Sequence, residues 1–135
     1  MIYLDNAATT LIKPDPVYRS VMQAMHSAAS PGRGAHPSAI RAAEIVYRCR
    51  EAAAKLFHMD DPANVVFTAN ATHALNIAIR SLVQPGDPVV ISGYEHNAVT
   101  RPLRAIGAKI SAANAPLFEP EAMVEAFRKL LPGAK

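Results

Sequence analysis

Two short stretches of this sequence combine residue types that bind anions and move protons. The first is Thr68-Ala69-Asn70-Ala71-Thr72-His73, where an apolar run gives way to a helical pattern. A helix start leaves backbone N–H groups without intrahelical partners and carries the positive end of the dipole. An anion can sit there, with the Thr72 hydroxyl as an added donor. From the local sequence the plainer role is favoured, because nearly every such helix needs a cap and Asn70 or Thr72 can supply it. The second stretch is Ser92-Gly93-Tyr94-Glu95-His96-Asn97. Gly93 permits an unusual backbone turn that presents His96 over the sheet edge. An imidazole in that place can stack on a planar ligand or move protons near neutral pH. It can also be an ordinary surface histidine.

Other candidate groups are weaker. Gly32-Arg33-Gly34 is too short for a nucleotide loop, follows no strand, and lacks the third glycine. The histidines at 26, 36, 58, 73 and 96 show no metal-ligand spacing. Cys49 falls mid-helix on an apolar face, which predicts a buried thiol and not a nucleophile.

The elements that must position these groups follow from hydrophobic periodicity. Residues 1–37 are punctuated by Pro14, Pro16, Pro31 and Pro37 and hold one helix, about Pro16 to Ala28, with Val17, Val21, Ala24 and Met25 on one face. Ser38 to Phe57 is the clearest helix. Ser38 is its expected cap, and Ala42, Ile45, Val46, Cys49, Ala53 and Leu56 are its expected buried stripe. Glu44–Arg48 and Glu51–Lys55 are i,i+4 pairs on the opposite face, worth about 0.2–0.5 kcal/mol each if they close.

From residue 64 strands and helices alternate. Val65 to Thr68, Val89 to Ser92 and Lys109 to Ala113 are the expected strands. The expected helices run from about Thr72 to Val83, from Pro102 to the stop at Gly107, and from Glu121 to Leu131 with Met123, Phe127 and Leu130 as its stripe. Continuous apolar strands alternating with helices imply an α/β fold with a parallel sheet covered on both faces. Ligands bind such sheets beyond the carboxyl ends of the strands, where both candidate stretches fall.

Composition narrows the function classes. One cysteine in 135 residues excludes an internal disulfide framework and a four-cysteine zinc site. No apolar run approaches the roughly 18–20 residues of a spanning helix, so a membrane protein is not expected. The formal charge of +3 is spread among acidic residues, giving no reason to expect nucleic acid as a partner. The 50% hydrophobic fraction overstates the core, because 26 of those residues are alanine. A cytoplasmic protein is the simplest expectation.

Four segments, in order, resemble one family. Tyr3-Leu4-Asp5-Asn6-Ala7-Ala8-Thr9-Thr10 is similar to the opening of cysteine desulfurases, in the class V, fold-type I group of pyridoxal-phosphate (PLP) enzymes. Ser30-Pro31-Gly32-Arg33-Gly34-Ala35-His36, Phe67-Thr68-Ala69-Asn70-Ala71-Thr72-His73-Ala74-Leu75-Asn76 and Glu95-His96-Asn97-Ala98-Val99 follow in the family's order. The resemblance implies that Ala71 and Thr72 hold the PLP phosphate, and that His96 stacks on the pyridine ring and assists proton transfer. It places Asn6, Ala7 and Ala8 beside the substrate, and His36 near the pocket mouth.

The implied fold is a partial PLP-dependent transferase large domain of the three-layer, parallel-sheet type. Residues 1–37 would be an irregular arm, and residues 38–135 an incomplete PLP-binding domain. The implied parent reaction takes sulfur from L-cysteine, leaving L-alanine and an enzyme persulfide, in sulfur metabolism such as iron–sulfur cluster assembly. A homodimer is implied for the full-length form. Other class V activities, an aminotransferase or a selenocysteine lyase, remain alternatives, as does a non-catalytic split-gene fragment that works only through a partner chain.

The resemblance covers only the family's N-terminal portion. The Schiff-base lysine, the aspartate on the pyridine nitrogen, the carboxylate-binding arginine and the mobile-loop cysteine have no counterparts. Lys13, Lys55, Lys109, Lys129 and Lys135 match none of these positions. The expected product is therefore inactive alone, with a bare sheet edge prone to association.

Overall fold

A computed structural model describes residues 2–132. Its elements run α1 (Asp15–Ser27), α2 (Pro37–Leu56), a 3-10 turn (Pro62–Asn64), α3 (Ala71–Leu82), β1 (Pro88–Ser92), α4 (Asn97–Ile106), β2 (Lys109–Ala113) and α5 (Pro120–Leu130). Backbone contacts divide the chain into two compact units, one ending at Val66 and the other starting at Phe67.

In the first unit α1 packs on α2, and the Ser38 carbonyl accepts a hydrogen bond from Ala29 N–H, joining the end of one helix to the start of the next. Ser38 is not the cap. Pro37 opens the helix, since its missing N–H costs nothing in the first turn. His36 therefore takes the capping position, and its side chain makes no capping bond.

The buried face of α2 also differs from expectation. Ala39, Ala42 and Ala54 are buried and Val46, Arg50 and Ala53 half-buried, whereas Ile45, Cys49 and Leu56 are exposed. The helix is approached where its side chains are smallest, and the larger apolar residues flank that line. Cys49 is thus an exposed thiol, not a buried one. Neither Glu44–Arg48 nor Glu51–Lys55 closes. The ion pairs among the described residues join Glu125 to Arg128 (3.1 Å) and Lys129 (4.0 Å) on α5.

The second unit is built on a two-stranded parallel sheet, β1 beside β2, in register from Pro88 opposite Lys109 to Ser92 opposite Ala113. Flanking bonds lengthen it: Lys109 N–H donates to Asp87, Gly86 N–H to Gly107, and Gly93 N–H to Ala113. Helix α5 packs against both strands, with Met123 and Phe127 half-buried, and α3 packs along α4. The first expected strand, Val65 to Thr68, does not form. Val65 is extended (φ −87°, ψ 114°), but no strand among the described residues pairs with 65–68, and Val66 is 74% exposed. Extended backbone becomes a strand only through a neighbour's hydrogen bonds.

Helix α4 starts at Asn97, five residues before the expected Pro102. Pro102 lies inside it, removing one backbone bond. It is buried with Ala98 and Leu103, and that shared face offsets the lost bond. Gly107 ends the helix as expected, in the left-handed region (φ 81°) with its N–H bonded back to Arg104. Glycine takes this conformation without a Cβ penalty. Gly107→Ala is therefore expected to lower stability by about 1 kcal/mol, read as an earlier midpoint in urea with an unchanged slope.

Among the described residues the buried apolar ones are Ala39, Ala42, Ala54, Ala98, Pro102, Leu103 and Ala113, and Leu103 is the one large side chain that is fully enclosed. Apolar faces that periodicity marks for burial remain open: on α1, Val17, Val21 and Met25 are all exposed, Met25 by 75%. No described helix is long and apolar enough to cross a membrane.

Candidate functional site

A cleft of about 500 Å³ opens between α3 and α4 in the second unit, and both candidate stretches contribute to it through Thr72 and His96. Each reaches the cleft by a local rule. Thr68 Oγ1 donates to the Asn70 carbonyl (2.9 Å), closing the turn, and the Asn70 side chain accepts from His73 N–H (2.9 Å). Asn70 is therefore the cap of α3. That assignment leaves the first two N–H groups of the helix, those of Ala71 and Thr72, without partners among the described residues, and the Thr72 hydroxyl likewise. Two N–H groups, a hydroxyl and a dipole end form a donor set suited to a phosphate or carboxylate.

His96 caps α4. Its Nδ1 accepts from Ala98 N–H at 3.1 Å, so the neutral ring carries its proton on Nε2. The ring is fixed at one edge and exposed at the other, where it can stack or exchange a proton. The loop before it is held by Ser92 Oγ donating to Glu95 (2.8 Å), Tyr94 N–H donating to Ser92 Oγ (3.3 Å), and the Tyr94 hydroxyl donating to Ala115. Gly93 contributes space and not a special turn. Its φ is not positive, but a Cβ there would run into the Asn114 side-chain amide.

Arg80 and Arg101, which lie outside both candidate stretches, also line this cleft, together with Asn76 and Asn97. Spacing could have found them. Thr72, Asn76 and Arg80 recur every four residues on α3, as Asn97 and Arg101 do on α4.

The remaining candidates belong to the first unit. Asn6, Ala7 and Ala8 form a tight turn closed by Ala8 N–H and the Asp5 carbonyl (3.1 Å). The Tyr3 hydroxyl braces it by donating to the Thr9 carbonyl at 2.8 Å. His36 precedes α2 with its ring against Gly34, where a Cβ would lie 2.9 Å from His36 Cδ2. Asn6 to Ala8 and His36 are all exposed.

None of the lysines at 13, 55, 109 and 129 lines the α3–α4 cleft. Lys13 Nζ donates to the Thr10 carbonyl (2.7 Å), Lys129 faces Glu125, and Lys55 is exposed at the end of α2. Lys109 begins β2, about 13 Å of strand from Ala113. Lys135 lies outside the described residues. No group of three His, Cys, Asp or Glu side chains among the described residues could hold a metal.

Comparison with known proteins gives a consistent picture. The model of the family described as "Aminotransferase class-V" matches residues 2–118. A protein of Synechocystis sp. named "Probable cysteine desulfurase" is 32% identical over 117 residues, which is 83% of this chain and 28% of that protein. Cysteine desulfurase CsdA of Escherichia coli is 33% identical over 102 residues, 72% of this chain and 25% of that protein. A crystal structure of the E. coli CsdA, in its S-sulfonic acid form, superposes with a TM-score of 0.64 at 23% identity, covering 95% of this chain and 34% of that one. The fold is thus shared, and the chain spans about a quarter to a third of the length of these relatives.

Proposed function

The chain belongs to the class V aminotransferase family, and from that premise we propose that it is the N-terminal part of a PLP-dependent cysteine desulfurase. In that role it acts on L-cysteine as part of a larger assembly, a homodimer when complete, in the cytoplasm. What supports the proposal most directly is the meeting of Thr72 and His96 in one cleft, with free N–H groups at the start of α3.

The donor set fits PLP, whose bound ring would act as an electron sink for bonds at the amino-acid carbon. The N–H groups of Ala71 and Thr72 and the Thr72 hydroxyl would hold its phosphate. His96, oriented by Ala98, would stack on the ring and hold or pass a proton at Nε2. The family resemblance gives Asn6, Ala7 and Ala8 roles beside the substrate and His36 a role near the pocket mouth, and these roles rest on the matched segments alone. An arm of residues 1–37 and an incomplete cofactor domain of 38–135 are part of the same proposal. So is packing of the open faces of α1 and of residues 65–68 against the rest of the family domain.

Reconstitution tests it. The chain is co-expressed with the segment of E. coli CsdA that extends past the matched region, loaded with PLP and given L-cysteine. Alanine and persulfide sulfur should form, and His96→Ala should slow their release by about 10²-fold or more. An assembly that moves amino groups but frees no sulfur would instead make the chain part of an aminotransferase.

A further inference from the structure

The α3–α4 cleft carries two guanidinium groups that the proposed cofactor contacts do not use. Arg80 lies in the last turn of α3 and Arg101 follows the start of α4 by one turn. Eight residues at a rise of 1.5 Å separate Arg80 from Thr72 by about 12 Å along the helix, so the pair does not share the helix-start donors. No carboxylate among the described residues lines the cleft. Among the described residues neither arginine side chain makes a hydrogen bond or an ion pair. Both arginines are exposed, and two like charges lining one cleft give it a positive potential that a bound anion lowers.

Chemistry sets the class of anion. Each guanidinium offers a planar fork of N–H donors that matches two oxygens of a phosphate. Two forks on adjacent, packed helices suit a tetrahedral dianion better than a single carboxylate. The cleft of about 500 Å³ also includes the Thr72 and His96 end, so the arginine pair has room for a phosphate with a small organic group and no more.

We propose that Arg80 and Arg101 form a second anion site, distinct from the start of α3, for inorganic phosphate or the phosphate group of a small monoester. The site does not depend on the PLP assignment. Its test is nitrogen-15 NMR of the 135-residue chain, following the arginine Nε–H signals at constant ionic strength. Inorganic phosphate and glycerol 3-phosphate are added in separate titrations.

Saturating shifts at Arg80 and Arg101 are expected with both, and the tighter of the two identifies the source. Arg80→Gln and Arg101→Gln should each weaken binding by about tenfold. Lys55→Gln removes the same charge from the other unit and should change nothing. Shifts confined to the Ala71 and Thr72 amides would overturn the proposal, as would equal weakening by Lys55→Gln or a response no different from that to chloride. If a glutamine variant fails to fold, the map of shifts on the unaltered chain decides.

Discussion

Mixed with PLP and L-cysteine, the 135-residue chain alone is expected to release neither alanine nor sulfide. Borohydride reduction is expected to leave no lysine carrying the cofactor. Two magnitudes set this result. A helix N-terminus contributes about 0.3–1 kcal/mol to an anion, and about 2 at most when partly buried. Aromatic stacking adds about 0.5–1.5 kcal/mol. Their sum stays below the roughly 4 kcal/mol of millimolar affinity, so non-covalent capture at the start of α3 is weak. Covalent capture needs a lysine in the cleft, and none of Lys13, Lys55, Lys109 and Lys129 lines it. Mass spectrometry after reduction is the check. Cofactor trapped on one specific lysine, with alanine released above background, would overturn the expectation.

The second large effect concerns stability. Leu103→Ala is expected to destabilise the chain by about 2–5 kcal/mol, the usual cost of a cavity in place of a buried leucine. Leu103 is 2% exposed, and the other buried apolar residues of its unit, Ala98, Pro102 and Ala113, are too small to refill the space. Total stabilities run to about 5–15 kcal/mol, so this single change consumes a large part of the margin. Leu82→Ala is the control. Leu82 is 71% exposed, and its truncation should stay within about 0.5 kcal/mol. Equal losses at the two positions in urea unfolding would mean that Leu103 is not specifically enclosed.

Much of the fold was legible in the sequence because local rules decide it. The left-handed stop at Gly107 needs only a residue without a Cβ, and the strands at Val89–Ser92 and Lys109–Ala113 are short apolar runs between breakers. Those elements lie where periodicity and turn chemistry put them. The start of α4 was not legible. Proline is common at a first helical turn, so Pro102 resembled a beginning; the His96 cap and the buried face of Ala98, Pro102 and Leu103 carry the helix back to Asn97.

The site was legible in part. Asn70, Thr72 and His96 were visible because capping and anion binding draw on a few residue types at fixed offsets from a helix start. Arg80 and Arg101 were not, because their importance rests on α3 and α4 lying side by side, a contact between segments about twenty residues apart.

By itself the sequence determined the type of each long element, the absence of a disulfide framework, and the order of four segments that resemble a cysteine desulfurase. These depend on neighbours along the chain, and such neighbours are written in the sequence. Only the tertiary structure decided which stripe of α2 is covered, that Cys49 is exposed, that residues 65–68 form no strand, and that Thr72, His96, Arg80 and Arg101 share one cleft. Burial and strand pairing are properties of two segments at once. Amphipathic periodicity says that a face can be covered, and packing alone says whether anything covers it.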